Sequence, residues 1–88
     1  MTRYDTMFAT LREQGHRLTP QRLAVVKILA ESEEHPTVEA IHQAVLKDYP
    51  TVSLATVYKT LHLLKESGLV MELAFGDLCR YDGSKDQA

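Results

Sequence analysis

The most constraining feature of this chain is a strand pattern that appears once, after a run of helical segments. Leu69, Met71, Leu73 and Phe75 alternate with Val70, Glu72 and Ala74, the period-two signature of a strand. Gly76-Asp77 suits a two-residue hairpin turn, and Leu78-Cys79-Arg80-Tyr81-Asp82 returns as the partner strand. An isolated hairpin is marginal in water, so this one must lean on the helices before it.

Those helices are legible from their ends. Tyr4, Met7, Phe8 and Leu11 recur at helical spacing, and Gly15 provides the stop. Thr19-Pro20 opens a second helix, because threonine caps and proline at the first helical position loses no hydrogen bond. Leu23, Val26 and Leu29 or Ala30 form its stripe. His35-Pro36-Thr37 opens a third, with Val38, Ile41, Ala44 and Val45 inward and Tyr49-Pro50 closing it. Ser53 caps a fourth helix, which ends at Gly68; Leu54, Val57, Leu61 and Leu64 fall on one narrow stripe.

The order predicts a mainly α fold with a two-stranded antiparallel hairpin: a winged helix-turn-helix carrying an extra N-terminal helix. The domain spans 1–82. Residues 83–88 have nothing to bury and are expected to be a loose tail or the start of a linker.

Composition narrows the function. With 88 residues and 44% apolar content, the chain suits one small core. No apolar run approaches the roughly 18 residues of a membrane span, and the N-terminus lacks a signal-peptide core. The single cysteine, Cys79, excludes an internal disulfide and a Cys-x-x-Cys zinc site, fits a reducing cytoplasm, and is expected to pack within the wing. Net charge is −2, but residues 1–30 carry a local +3 and residues 31–48 a local −4. A phosphate-binding surface needs cations on one face rather than a basic total. The sequence holds no nucleophile elbow, no Gly-rich phosphate loop and no carboxylate pair beside a histidine, so an enzyme is not expected.

The fourth helix has an unusual outer face. Solvent-facing helices favour Glu, Lys, Gln and Arg. Here the first two turns present Ala55, Thr56, Tyr58 and Lys59 behind the Ser53 cap, with no acidic residue before Glu66. Small side chains allow close approach to a groove floor, alanine and the threonine methyl suit a thymine methyl, and lysine reaches guanine or phosphate. Tyr58 can stack on a sugar or donate to a phosphate. Arg17, on the link before the second helix, can enter an adjacent minor groove. Thr19, Gln21 and Arg22 stand at a helix N-terminus and are candidates for phosphate contact. The alternative is a winged-helix module for protein–protein contact, with the acidic 31–48 surface as its docking face. His16, His42 and His62 have no evident partners in sequence and read as surface or boundary residues.

Gly15-His16-Arg17-Leu18-Thr19-Pro20-Gln21-Arg22, His35-Pro36-Thr37, Ser53-Leu54-Ala55-Thr56-Val57-Tyr58-Lys59-Thr60-Leu61, Glu66-Ser67-Gly68-Leu69-Val70 and Gly76-Asp77 together resemble the DNA-binding domain of the ferric uptake regulator family. The resemblance runs from about Leu11 to Asp82. It implies a metal-responsive, dimeric repressor that binds A·T-rich palindromic DNA operators. It assigns thymine contact to Tyr58, a basic contact to Lys59 and a minor-groove contact to Arg17. Lysine at 59, where arginine is frequent, weakens bidentate guanine recognition. His35 and Asp82 match two regulatory metal ligands, and aspartate at 82 leans toward the peroxide-sensing branch. Two donors do not close a zinc or iron site. The resemblance implies that the other ligands, the bound iron, manganese or zinc, and dimerisation belong to a longer protein extending past Ala88. The chain by itself is expected to bind no metal and to be monomeric or weakly associating.

Overall fold

A computed structural model describes residues 2–32, 35–75 and 78–83. The order is α1 (Arg3–Glu13), α2 (Pro20–Glu31), α3 (Val38–Leu46), α4 (Leu54–Glu66), β1 (Met71–Phe75) and β2 (Leu78–Asp82). The expected turn at Gly76-Asp77, the acidic pair Glu33-Glu34, the side chain of Cys79 and residues 84–88 lie outside the described residues.

Each helix starts where a side-chain oxygen meets a backbone N–H that the helix itself leaves unpaired. Thr19 Oγ1 accepts from the Arg22 N–H at 3.2 Å, Thr37 from Ala40 at 3.2 Å, and Ser53 Oγ from Thr56 at 3.1 Å. A fourth cap, absent from the sequence reading, opens α1. The Asp5 N–H donates to Thr2 Oγ1 at 3.0 Å, and the Thr2 N–H donates to Asp5 Oδ2 at 3.1 Å, a reciprocal capping box. Hydrogen bonds from the Thr2 backbone and then its side chain hold the Asp5 carboxyl below the usual carboxylate range.

Gly15 and Gly68 end α1 and α4 at φ 80° and 74°, backbone that other residues adopt only at a cost. The amides that follow turn back on the helices, His16 to the Leu11 carbonyl at 3.1 Å and Leu69 to Leu64 at 2.9 Å. By contrast, α3 stops at Leu46, well before the expected Tyr49-Pro50 boundary. The amides of Asp48 and Tyr49 both return to the Val45 carbonyl, and Val52 bonds to Tyr49. This tight turn buries Val52 between α3 and α4.

The core centres on α2, which packs against α1, α3 and α4. Val25, Val26 and Leu29 are sealed from solvent, and Met7, Leu11, Ile41, Val45, Val57, Leu61 and Leu64 close around them. Burial on α2 is thus wider than the expected stripe, and shifts from Leu23, which is half-buried, to Val25. On α4 the expected stripe is displaced by one side chain. Leu54 is 38% exposed, whereas Thr60 is fully buried. Thr60 tolerates burial because its Oγ1 donates to the Thr56 carbonyl one turn back, at 2.8 Å.

The hairpin is antiparallel, with Met71 opposite Asp82, Glu72 opposite Tyr81 and Leu73 opposite Arg80. It joins the core at its base, where Val70 and Tyr81 are buried, while Met71 faces outward. Contacts at both strands tie it to α4 and to the loop before α3. The Tyr81 N–H donates to the Pro36 carbonyl at 3.0 Å, and Lys65 Nζ at the end of α4 reaches Glu72 Oε1 at 2.9 Å. The hydroxyl of Tyr81 donates to the other Glu72 oxygen at 3.2 Å. Gly83, assigned by sequence to the tail, is buried: a Cβ there would stand 3.0 Å from the Leu29 carbonyl oxygen and 3.2 Å from Met7 Cε.

Candidate nucleic-acid interface

The exposed side of α4 follows from how its inner side is filled. Val57, Thr60, Leu61 and Leu64 face the core, so residues on the opposite arc must face solvent. Ala55, Tyr58 and Lys59 do, with Tyr58 47% exposed. Thr56 is half-buried, and its Oγ1 lies 3.0 Å from Ser53 Oγ, so the two hydroxyls engage each other at the cap. Among these five sequence candidates, three are exposed side chains and two form the capped tip that supports them.

The link before α2 is also ordered. Arg22, at the first turn of α2, swings its guanidinium Nη1 to the Arg17 carbonyl at 2.8 Å. Thr19 is committed to capping, Gln21 is half-buried, and the side chain of Arg17 is exposed. Arg17 therefore projects from a fixed base, while Arg22 spends part of its donor set inside the molecule.

Sequence reasoning missed His42. Its Nε2 lies 3.0 Å from the Val52 carbonyl, bridging α3 to the residue that leads into α4. The side chain is half-buried and helps fix the angle between the two helices of the helix-turn-helix. Its neighbour in kind, His62, lies 3.6 Å from Glu66 one turn away, an exposed pair worth little.

His35 and Asp82, 47 positions apart in sequence, come together at the root of the wing: His35 Nδ1 stands 3.9 Å from Asp82 Oδ1. That is too long for a hydrogen bond. It fits two donors on one ion, since ligands at about 2.1 Å each can be separated by up to about 4.2 Å. The backbone on both sides is anchored, Arg80 Nη1 donating to the His35 carbonyl at 2.8 Å and Thr37 bridging to Arg80. Among the described residues, no group of three or more His, Cys, Asp or Glu side chains could hold a metal. The pair fits as part of a metal site and not as a whole one.

A short turn joining α3 to an α4 whose outer face is free, with an antiparallel hairpin behind it, defines a winged helix-turn-helix domain; α1 is the additional N-terminal helix. The model of the ferric uptake regulator family matches residues 13–88. The chain is 46% identical over 73 residues to the peroxide-responsive repressor PerR of Staphylococcus aureus, covering 83% of this chain and 49% of that protein. It superposes on PerR from Streptococcus pyogenes with a TM-score of 0.87 at 33% identity, covering 94% of this chain and 58% of that one. The Campylobacter jejuni peroxide stress regulator gives a TM-score of 0.70 at 40% identity, with coverages of 91% and 59%. This chain belongs to the ferric uptake regulator family. It spans about half the length of the curated relatives it matches.

Proposed function

We propose that this chain is the DNA-binding domain of a metal-dependent transcriptional repressor that acts in the cytoplasm on A·T-rich palindromic operators. The observation that carries this reading is the division of α4, whose apolar seam is sealed while Ala55, Tyr58 and Lys59 stand free with no acid before Glu66. Helix-turn-helix domains place the N-terminal part of such a helix against base edges in the major groove. Tyr58 contacts thymine or backbone, Lys59 supplies charge, Arg17 reaches a neighbouring minor groove, and the capped ends at Thr19 and Ser53, with Gln21 and Arg22 beside the first, meet phosphate. No helix of the described residues is long and apolar enough to cross a membrane.

His35 and Asp82 would supply two donors to a regulatory iron, manganese or zinc ion, with the remaining donors and a homodimer contact provided by parts of the protein outside this sequence. A bound divalent ion would add fixed positive charge where the wing meets the loop before α3. All three relatives named above are peroxide-responsive, peroxide-sensing or peroxide-stress regulators, and another similar structure, 32% identical, is a manganese uptake regulator. The peroxide-sensing branch is the assignment that Asp82 and the first of these likenesses favour.

A mobility-shift titration of the 88-residue chain against an A·T-rich palindromic duplex at low salt tests the reading. Wild type is expected to shift the duplex with steep salt dependence, and Tyr58→Ala and Lys59→Ala to weaken the shift. Both variants binding like wild type would remove α4 as the reading helix.

A further inference from the structure

Leu54 is a large apolar side chain at the tip of α4 that the core does not cover. Helical periodicity places it on the inner stripe of α4, yet it is 38% exposed, and the sealed seam begins only at Val57. At about 100° per residue, Tyr58 lies roughly 40° further round the helix and Ala55 about 100°. Leu54 and Tyr58 are thus neighbours at i and i+4 on one face, with Ala55 beside them and Lys59 beyond. Helical side chains lean toward the N-terminus, so Leu54 overhangs the capped tip and is the foremost large apolar group of the helix. The Ser53–Thr56 hydroxyl pair fixes that tip behind it.

We infer that Leu54 extends the apolar surface assigned to thymine at Tyr58 and Ala55 into a ridge that meets a further thymine C5-methyl group, making Leu54 a specificity-determining residue. This rests on α4 being the groove-reading helix. Thymine alone places a methyl group in the major groove, so an apolar ridge there distinguishes A·T from G·C pairs without a hydrogen bond. The surroundings favour a nucleic acid over a protein partner. Lys59 borders the ridge, and α4 carries no acid before Glu66. The ridge also supplies, by contact, discrimination that the point charge of Lys59 cannot supply by a planar fork.

The test is fluorescence anisotropy of the 88-residue chain with two fluorescein-labelled A·T-rich palindromic duplexes, one with thymine and one with 2′-deoxyuridine in its place. Wild type is expected to bind the deoxyuridine duplex several-fold more weakly, about fourfold for each fully buried methyl lost. In Leu54→Ala this ratio should contract toward one, and Leu54→Met should restore much of it. Lys59→Ala should weaken both duplexes alike and keep the ratio. Far-ultraviolet dichroism confirms that each variant is folded, as expected for a partly exposed site. Wild type that fails to distinguish the duplexes, or Leu54→Ala that keeps the full wild-type ratio, overturns the inference while leaving α4 as the reader. No binding of either duplex by wild type overturns both.

Discussion

Helices α2 and α4 have 12 and 13 residues, both begin at a hydroxyl cap, and both end beside the same core, yet they use their circumference differently. Around α2, Ala24 and Ile28 are half-buried in addition to the sealed Val25, Val26 and Leu29, and only Pro20, Lys27 and Glu31 are exposed. On α4 the burial is confined to one seam, and the outer face of its first two turns is left open. A helix that three neighbours enclose offers a partner little beyond its capped end. The helix at the margin of the core keeps an open side, and its residues there are free to be chosen for something other than packing.

The sharpest way to break this contrast is on α2. Leu29→Ala is expected to cost about 3 kcal/mol, since α1, α3 and α4 all close on this helix and the cavity cannot collapse easily. Urea denaturation would show it, and a loss below about 1 kcal/mol would mean that α2 is not the hub. On α4, Tyr58→Ala should leave stability within about 0.5 kcal/mol while weakening duplex binding by about tenfold, or about 1.4 kcal/mol. A large fall in the urea midpoint with this variant would place Tyr58 in the fold rather than at the interface. Thr60→Val refines the boundary between the two sides. It keeps the shape and removes only the hydroxyl that donates to Thr56, so about 1 kcal/mol or less should be lost.

The smallest effect belongs to α1, where the cap is wholly at the surface. The Thr2 contacts hold the Asp5 carboxyl below the usual range, so the contribution of the capping box is complete above that range and is lost as pH falls through the folded-state value. Nuclear magnetic resonance titration of the Asp5 carboxyl should give a lower midpoint in wild type than in Thr2→Ala. Equal midpoints would show that the Thr2 hydroxyl has no part in holding the carboxyl down.

What could be read from sequence was what local chemistry decides. Thr19-Pro20, Thr37, Ser53, Gly15 and Gly68 each mark a helix end through a hydrogen bond or a backbone angle that needs no distant partner. Long-range placement was not legible in this way. Leu54 fits a helical wheel, but a wheel does not know that the core first meets α4 at Val57. Thr60 is polar by composition, and only the back-bonded geometry makes it a core residue. Met71 continues the strand alternation, while the hairpin meets the helices at Val70 and Tyr81 instead. Of the candidate site, the exposure of Ala55, Tyr58 and Lys59 follows from periodicity. The approach of His35 to Asp82 does not, since it depends on how the wing folds back over the loop before α3.

The bond from Arg22 to the Arg17 carbonyl has a consequence for association. A flexible link carrying a guanidinium would surrender its conformational freedom on docking, a cost of roughly 1–2 kcal/mol for each backbone residue fixed. Here the stub is already immobilised during folding, so an incoming duplex meets a preset probe. Arg22→Ala should therefore weaken association in two ways, by freeing the link and by removing a phosphate contact.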